Sequence, residues 1–294
     1  MCGRIKSTGR EPSGGSVENA VNDRRARALP LTNKSGVEHF FNWGLVIVCG
    51  RINLRTPAAA WTQEFLPLWS PDEIAAKAAE YEITTRYNIA PTQQVSCIRA
   101  ADDDPRRQWV MLRWGLVPSW ADDLAIGNRM INARSETVHE KPSFKKAFAV
   151  RRCLIPADGY YEWMKTADGK QPYLIEPIDG GVLALAGLWE RNRKIQGEDR
   201  PIETFTILTT SANDTTRSIH DRMPVILDPD GQTAWLEQNR DDPSSLRELL
   251  RPAPADLLTA FPVSKIVNSP RNDVPECVER IELPDGSSQQ QDLF

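Results

Sequence analysis

The sequence predicts an α+β fold, a single domain of mainly antiparallel strands with helices at its periphery. Short runs of β-branched and aromatic residues crowd the middle of the chain, and helix-capping signals flank them. Strands and helices do not alternate in the way that a parallel βαβ sheet requires. The chain has 294 residues, which is long enough to bury a large hydrophobic core. Its composition, 40% apolar and 26% charged, is ordinary for a folded domain.

Two helices are expected where this domain begins. Thr56-Pro57 precedes an Ala-rich run to Leu66, which predicts an N-capped helix with Pro at its first position. Ser70-Pro71-Asp72-Glu73 predicts a second helix to about Tyr81, because Ser and a Glu three residues later form a capping box. Two further helical segments are predicted at 233–238 and 244–250.

The predicted strands lie between these helices. Each is a short run rich in β-branched and aromatic residues. They cover 95–98, 109–114, 153–155, 160–164, 173–175, 182–189 and 205–209. Ala167-Asp168-Gly169 separates two of them and predicts a β-hairpin.

Residues 1–48 differ in composition from the rest. They carry seven Lys or Arg and four acidic residues, a net charge of +3, which leaves −7 for residues 49–294. We interpret them as a non-core extension with two open explanations. They are a genuine extension or propeptide, or the start is assigned too early, since a GTG-type valine codon at Val48 would be read as Met. The predicted domain is 49–284, and 285–294 is expected to be a disordered tail.

Composition also excludes several classes of protein. No window approaches the roughly 18 apolar residues of a membrane span, so no membrane partner is expected. Five cysteines, an odd number without a CxxC pair, fit neither a disulfide framework nor a zinc site, and a cytoplasmic location is predicted. The net charge of −4 gives no overall basic field, so a nucleic acid would have to be held in a local groove.

Two candidate acid–base residues come from the residue pattern. His220 lies between a polar loop and a strand-like segment beside Asp221 and Arg222, where structural and functional roles are both open. Glu162 lies in an aromatic strand. Alternation favours its solvent face, but a desolvated Glu would have a raised pKa and could transfer protons near neutral pH. Asn132-Ala133-Arg134-Ser135-Glu136 suits phosphate or carbonyl recognition, or is a surface turn.

Cys49 stands where the core begins. If Met replaced Val48 and were removed, Cys49 would expose an α-amine with a pKa of about 7.7–8.0 beside a thiol with a pKa of about 8.5. Such an amine attacks an aldehyde to form a Schiff base, and the thiol then closes a thiazolidine ring. This chemistry needs proton transfer but no metal or cofactor.

Eight ordered blocks together resemble one family, the SOS response-associated peptidase (SRAP) family of abasic-site processing proteins. The resemblance runs from Cys49 to about Pro275. The blocks are 49–51, 86–92, 113–120, 131–137, 157–163, 187–189, 219–224 and 267–272.

The resemblance implies an enzyme of the SOS DNA-damage response with a barrel-like sheet. It would bind single-stranded DNA and trap the abasic-site aldehyde as a thiazolidine crosslink, acting as a monomer on the nucleoid. It implies that Cys49 is the nucleophile and that Asn132 and Arg134 hold the N-terminal residue and the sugar–phosphate. Glu162 and His220 would shuttle protons. The residues placed at the DNA groove are Arg51, Pro91, Trp114, Trp120 and Arg222.

The N-terminus departs from the family pattern, because a free α-amine is required and Cys49 follows 48 residues. Autocleavage before Cys49 would supply the amine. Cys2 is an alternative nucleophile, since Met1-Cys2-Gly3-Arg4 also contains Cys-Gly-Arg, but no helix start follows it. Two other functions stay open: a thiol peptidase acting in trans, and a noncovalent single-stranded DNA binding module.

The last five residues carry a separate signal. They resemble the bacterial sliding-clamp-binding pentapeptide, in which Leu and Phe fill a pocket and Gln fixes the orientation. A polar tail without function is the alternative. The residues concerned are Gln290, Asp292, Leu293 and Phe294.

Overall fold

The computed structural model describes residues 49–101, 104–195, 200–237 and 243–283. The predicted extension 1–48, the alternative nucleophile Cys2 and the clamp-like pentapeptide lie outside the described residues.

The described residues contain four α-helices, twelve strands and several 3-10 turns. The helices are α1 (Ala58–Phe65), α2 (Pro71–Glu80), α3 (Lys145–Val150) and α4 (Pro229–Leu236). The strands are β1 (Ile52–Leu54), β2 (Arg86–Ile89), β3 (Gln94–Ala100), β4 (Arg107–Trp114), β5 (Asn132–Arg134), β6 (Arg152–Ala157), β7 (Gly159–Thr166), β8 (Gly169–Pro177), β9 (Leu183–Asn192), β10 (Ile202–Ser211), β11 (Arg222–Pro224) and β12 (Leu258–Pro262).

Five strands close into a barrel. The order β10-β4-β3-β6-β9 returns to β10, because β10 pairs with both β4 and β9. The β4–β10 pair is parallel and the other four are antiparallel. Closure leaves no free edge in this ring. The predicted α+β class, mainly antiparallel and barrel-like, is confirmed.

A second sheet is wholly antiparallel and has the order β12-β8-β7-β1-β2. The hairpin between β7 and β8 turns at the predicted residues, with Thr166 paired to Gly169. Strand β1 lies between β2 and β7, with Ile52 opposite Tyr160. This central position holds the start of the domain deep in the fold.

The helix predictions are confirmed in location, with differences at the ends. The capping box of α2 forms as predicted between Ser70 and Glu73. Thr56 does not cap α1: its hydroxyl donates to Oδ1 of Asp158 at 2.6 Å, because the buried carboxylate needs donors. The segment predicted at 233–238 belongs to α4, which starts earlier, and that at 244–250 is a 3-10 helix over Pro243–Leu249.

Two glycines pack a loop of the barrel tightly. Gly115 follows β4 with φ of +115°, a conformation that favours glycine. A Cβ added there would lie 2.6 Å from the carbonyl oxygen of Gly127. The segment after Trp114 is therefore pressed onto the 3-10 helix Leu124–Arg129. Among the described residues, no helix is both long and apolar enough to cross a membrane.

Candidate active site

Cys49 lies immediately before β1 and is fully buried. Its backbone φ is +43°, in the left-handed region that costs a non-glycine residue energy. Its backbone N–H donates a hydrogen bond of 2.5 Å to Oε1 of Glu162. The first residue of the described chain is thus held directly against a buried carboxyl group.

Strand register explains why these two residues meet. Ile52 pairs with Tyr160, and the N–H of Tyr161 donates to the carbonyl oxygen of Arg51 at 3.0 Å. Because the strands are antiparallel, the residues before Arg51 run alongside residue 162. The pairing of β1 with β7 therefore brings Cys49 and Glu162 together across 113 positions of sequence.

Glu162 is buried, with 2% of its surface exposed. The alternation of residues along β7 predicts that the Glu162 side chain points to solvent. This expectation is wrong, because consecutive residues of β7, which point to opposite faces of the strand, are both buried. Burial raises the pKa of Glu162 to about 8, while the N–H groups of Cys49 and Trp163 oppose the shift. Glu162 therefore carries its proton at neutral pH and can exchange it slightly above, as a general acid–base group requires.

The Cys49 thiol is protonated in this environment. Burial raises its pKa well above the ordinary value, and the neighbouring Glu162 raises it further. A protonated thiol is a weak nucleophile, so it needs a base close at hand to react. Glu162 is the adjacent candidate once it has given up its own proton.

Tyr160 is a neighbour that the sequence analysis missed. Its side chain is fully buried, and its pKa is raised by burial first and then by Cys49 and Glu162. Residues 160 and 162 share a face of β7 because alternate residues of a strand point the same way. That spacing from Glu162 is the signal that could have identified it.

His220 lies in the turn before β11, with its side chain 14% exposed. Its Nδ1 accepts a hydrogen bond of 3.1 Å from the backbone N–H of Arg222 and lies 2.9 Å from Oδ1 of Asp221. Burial lowers the pKa of His220. A neutral ring that accepts from the Arg222 N–H at Nδ1 carries its proton on Nε2, whereas a proton on Nδ1 would be donated to Asp221, whose side chain is 81% exposed.

His220 and Glu162 belong to one electrostatic neighbourhood. Asp221 and Lys170 act on the pKa of both groups. Lys165 acts on His220 as well, and it pairs with Lys170 across the β7–β8 hairpin. The hairpin and the turn before β11 therefore flank the same site.

Strand β10 places Asn132 and Arg134 close to this turn. Asn132 lies opposite Ile207 in a parallel pairing, and Arg134 lies opposite Thr209. Thr209 also pairs with Pro224 of β11, on the other side of β10. Asn132 is half-buried and Arg134 is exposed, so the Arg134 side chain faces solvent at this end of the barrel.

Three residues predicted to contact DNA are engaged within the protein. Trp114 is fully buried, with its ring stacked on Phe205 and Nε1 donating to the carbonyl oxygen of Ile131 at 3.0 Å. Its assignment to the DNA groove is wrong, because alternation along β4 turns it into the core.

Arg51 and Arg222 also depart from that prediction. Arg51 is buried, and its Nη1 donates to Asn88 Oδ1 at 2.6 Å and to the carbonyl oxygen of Val267 at 2.7 Å. Arg222 forms a bidentate salt bridge with Glu136. The Nη donors of both residues are engaged inside the fold and their Nε atoms are buried, so neither guanidinium presents a free face to a phosphate in this state.

Pro91 and Trp120 remain available at the surface. Pro91 is partly exposed, and Trp120 is 54% exposed on the loop that follows β4. Asn192 holds this loop, because its Nδ2 donates to the carbonyl oxygens of Pro118 and Ala121 at 2.6 and 2.8 Å.

Trp163 is a further aromatic residue without a role in the sequence analysis. It follows Glu162 on the opposite face of β7 and is half-buried. Its Nε1 donates to Oδ1 of Asn268 at 2.7 Å, and the Arg51 guanidinium lies 5.8 Å from its ring. Its position next to Glu162 in the sequence is the feature that could have identified Trp163 as a neighbour of the site.

Comparison with known proteins gives a consistent picture. The model of the SOS response associated peptidase (SRAP) family matches residues 48–270. The chain is 42% identical over 234 residues to abasic site processing protein YoqW of Bacillus subtilis, covering 79% of this chain and 99% of that protein. It is 36% identical over 204 residues to abasic site processing protein HMCES of Gallus gallus, covering 62% of this chain and 60% of that protein.

Solved structures agree. A protein from Bacteroides thetaiotaomicron superposes with a TM-score of 0.67 at 25% identity, covering 80% of this chain and all of that one. A Bordetella bronchiseptica protein gives a TM-score of 0.58 at 28% identity, over 74% of this chain and all of that one. The family model spans most of the chain, and it begins one residue before the buried Cys49. This chain belongs to the SRAP family.

Proposed function

We propose that this protein processes abasic sites in single-stranded DNA by covalent capture through Cys49. The names of its relatives support the substrate class. The observation that carries the chemistry is the 2.5 Å contact between the Cys49 backbone nitrogen and Glu162. Once Cys49 is N-terminal, that nitrogen is an α-amine held beside a buried acid–base group.

The first step forms a Schiff base. The lone pair of the neutral α-amine attacks C1′ of the ring-opened deoxyribose, protonated Glu162 donates its proton to the carbonyl oxygen, and the nitrogen then passes a proton back to Glu162. The carbonyl oxygen becomes the hydroxyl of a carbinolamine. Glu162 then returns a proton to that hydroxyl, which leaves as water while the C=N bond forms.

The second step closes the ring. The Cys49 sulfur adds to the imine carbon, the C=N electron pair moves to nitrogen, and the thiol proton transfers to nitrogen through Glu162. The overall change joins one aldehyde and one cysteine with release of one water. The thiol does not act first because burial and Glu162 keep it protonated.

His220 is proposed to open the sugar before capture, because the closed form of an abasic site has no aldehyde. Its neutral ring can take the C1′ hydroxyl proton and then deliver a proton to the ring oxygen as the C1′–O4′ bond breaks, so the sugar opens with no net gain or loss of protons. Asn132 and Arg134 lie at the adjoining end of the barrel and are proposed to hold the N-terminal residue and the flanking phosphate.

A free amine at Cys49 requires that the bond before it be broken or never made. We propose either a start at position 48 or autocleavage. In autocleavage, the Cys49 sulfur attacks the Val48 carbonyl carbon, Glu162 protonates the amine as the C–N bond breaks, and the thiol proton replaces the one that Glu162 gave up. Water then hydrolyses the thioester. The unfavourable φ of Cys49 supports this assignment, because cleavage would release the strain. Cys2 remains the alternative nucleophile, and 1–48 is then part of the working protein.

The decisive experiment uses protein that begins at Cys49 and an oligonucleotide with one abasic site. We expect a DNA–protein product that survives heating in denaturant, and none with Cys49→Ala.

Peptide cleavage in trans without a DNA product would favour the thiol peptidase. Unchanged noncovalent binding by Cys49→Ala, with no product from the unaltered protein, would favour a binding module. Intact mass and N-terminal sequencing of protein made from the full gene distinguish Cys49 from Cys2.

The C-terminal pentapeptide supports a second partner, the bacterial sliding clamp. A tether ending in Leu293 and Phe294 would keep a damage-response enzyme on replicating DNA in the nucleoid. Deletion of residues 290–294 should abolish clamp binding and leave capture of a free oligonucleotide unchanged. Equal clamp affinity with and without these residues would refute the proposal.

A further inference from the structure

The salt bridge between Glu136 and Arg222 links two segments of the site. Glu136 follows β5 and Arg222 begins β11, on opposite sides of β10. Arg222 Nη1 and Nη2 contact Glu136 Oε1 and Oε2 at 2.5 and 2.9 Å, a bidentate geometry. The Arg222 side chain is 12% exposed and that of Glu136 is 51% exposed, so the cation is the buried partner.

Arg222 contacts His220 through its backbone while its side chain is anchored elsewhere. Its backbone N–H donates to His220 Nδ1 at 3.1 Å. Its Nη2 also donates to the carbonyl oxygen of Thr209 at 2.7 Å. A path of direct contacts therefore runs from the Glu136 carboxylate through Arg222 to the histidine ring.

We propose that Glu136 is a positioning residue for His220. It holds Arg222 so that the Arg222 backbone N–H occupies Nδ1 and leaves the ring proton on Nε2. The proposal rests on the proposed function only in its claim that His220 transfers protons at the abasic site.

The surroundings of His220 show what competes with this arrangement. Asp221 and Arg222 face it from its own turn, and Lys165 and Lys170 face it from β7 and β8. Asp221 Oδ1 lies 2.9 Å from Nδ1, ready to accept from a protonated nitrogen. If the Arg222 backbone shifts, a protonated Nδ1 can donate to Asp221 instead. This favours the Nδ1–H tautomer and the doubly protonated imidazolium.

Strand β11 is short, and the Glu136 contact lies where it begins. It has three residues and pairs with β10 at Thr209–Ser211 on one side. Backbone hydrogen bonds continue on either side of it, since the N–H of Ala212 donates to the carbonyl oxygen of Asp221 at 3.0 Å and that of Val225 donates to Leu208 at 2.9 Å. The salt bridge to Glu136 adds a charge-assisted contact at Arg222, the first of the three β11 residues. The backbone N–H of the same residue donates to His220.

Nitrogen NMR of the full chain tests the proposal directly. The chain has three histidines, His39, His139 and His220, so a His220→Gln spectrum assigns the signal. We expect unaltered protein to show the Nε2–H tautomer at neutral pH. In Glu136→Ala, we expect a mixture of tautomers and a His220 pKa closer to that of an exposed histidine. Glu140→Gln, an exposed carboxylate four residues further on, should change neither.

Capture kinetics provide the second readout. With protein that begins at Cys49, Glu136→Ala should lower the capture rate at saturating DNA roughly tenfold, as expected for a misplaced catalytic group. The DNA affinity should change little. The limb of the pH–rate profile that reports His220 should move upward in pH.

The outcomes separate the two proposals. An unchanged tautomer, pKa and pH profile in folded Glu136→Ala would overturn the positioning role. Absence of any covalent product from unaltered protein would refute the proposed function, and the NMR result would still decide the role of Glu136. If Glu136→Ala does not fold, Glu136→Gln decides, because it keeps one acceptor oxygen and should give a smaller change in the same direction.

Discussion

The backbone nitrogen of Cys49 and the carboxyl group of Glu162 meet at 2.5 Å inside the protein, although 113 positions separate them in sequence. The contact is made possible by the pairing of β1 with β7. It places a titratable group with a pKa of about 8 against the nitrogen that would become an α-amine. Amine and acid would then titrate in the same range, which suits reversible proton transfer.

Cys49→Ser separates the two chemical steps. A Cys49→Ser protein that begins at this position keeps the α-amine but lacks the thiol. We expect it to form a Schiff base that borohydride reduction traps, but no product that survives heating without reduction. Cys97→Ala should crosslink normally, because Cys97 is buried in β3 of the barrel. A heat-stable product from the Cys49→Ser variant without reductant would contradict the thiazolidine assignment.

Glu162→Gln should change how folding stability depends on pH. The folded pKa of Glu162 is about 8, against 4.5 for an ordinary Glu. Between these values the folded protein holds a proton that the unfolded chain has released. The stabilisation is thus complete below about pH 4.5 and is lost as the pH rises towards 8, by at most about 1.4 kcal/mol per pH unit.

Glutamine keeps the acceptor for the Cys49 N–H and cannot ionise. The free energy of unfolding of Glu162→Gln should therefore exceed that of unaltered protein at about pH 8, and the difference should shrink towards about pH 5. Urea unfolding at a series of pH values measures this. Glu248→Gln, an exposed control, should follow the unaltered protein. A pH-independent difference would show that Glu162 is ionised throughout.

Arg152→Met should destabilise the fold. The buried Arg152 donates to the carbonyl oxygen of Trp235 at 2.6 Å and to those of Phe148 and Ala149 at 3.0 and 2.5 Å. It thereby satisfies the ends of both α3 and α4. Methionine fills similar volume but leaves these carbonyls unpaired, at a cost of roughly 3 kcal/mol or more. Denaturant unfolding should show the loss, and Arg247→Met at an exposed position should not.

Trp120→Ala should weaken binding to single-stranded DNA. Trp120 is 54% exposed on the loop that Asn192 holds, and stacking of a base on an aromatic side chain contributes roughly 1–3 kcal/mol. Leu68→Ala is the matched control, because Leu68 is 60% exposed and apolar but distant in sequence. Fluorescence anisotropy at fixed salt measures both. Equal losses in the two variants would indicate a nonspecific effect of surface apolar area.

The local patterns of the sequence identified most strands, the capping box of α2 and the β7–β8 hairpin. Each depends on neighbours in the chain, where propensity and capping act. The Thr56 cap failed for the opposite reason. Its hydroxyl binds Asp158, a residue 102 positions away, and no local rule includes that competitor.

The site shows the same division. Residue chemistry raised Cys49, Glu162, His220 and the Asn132–Arg134 segment as candidates with other roles still open, and the resemblance to the family gave each of them an expected role. Burial, protonation and pairing depend on what other strands place alongside. Only the tertiary structure shows that Glu162 and Trp114 are buried and that Arg222 is paired with Glu136. Desolvation and charge pairing arise between segments that are distant along the chain, so the local sequence does not determine them.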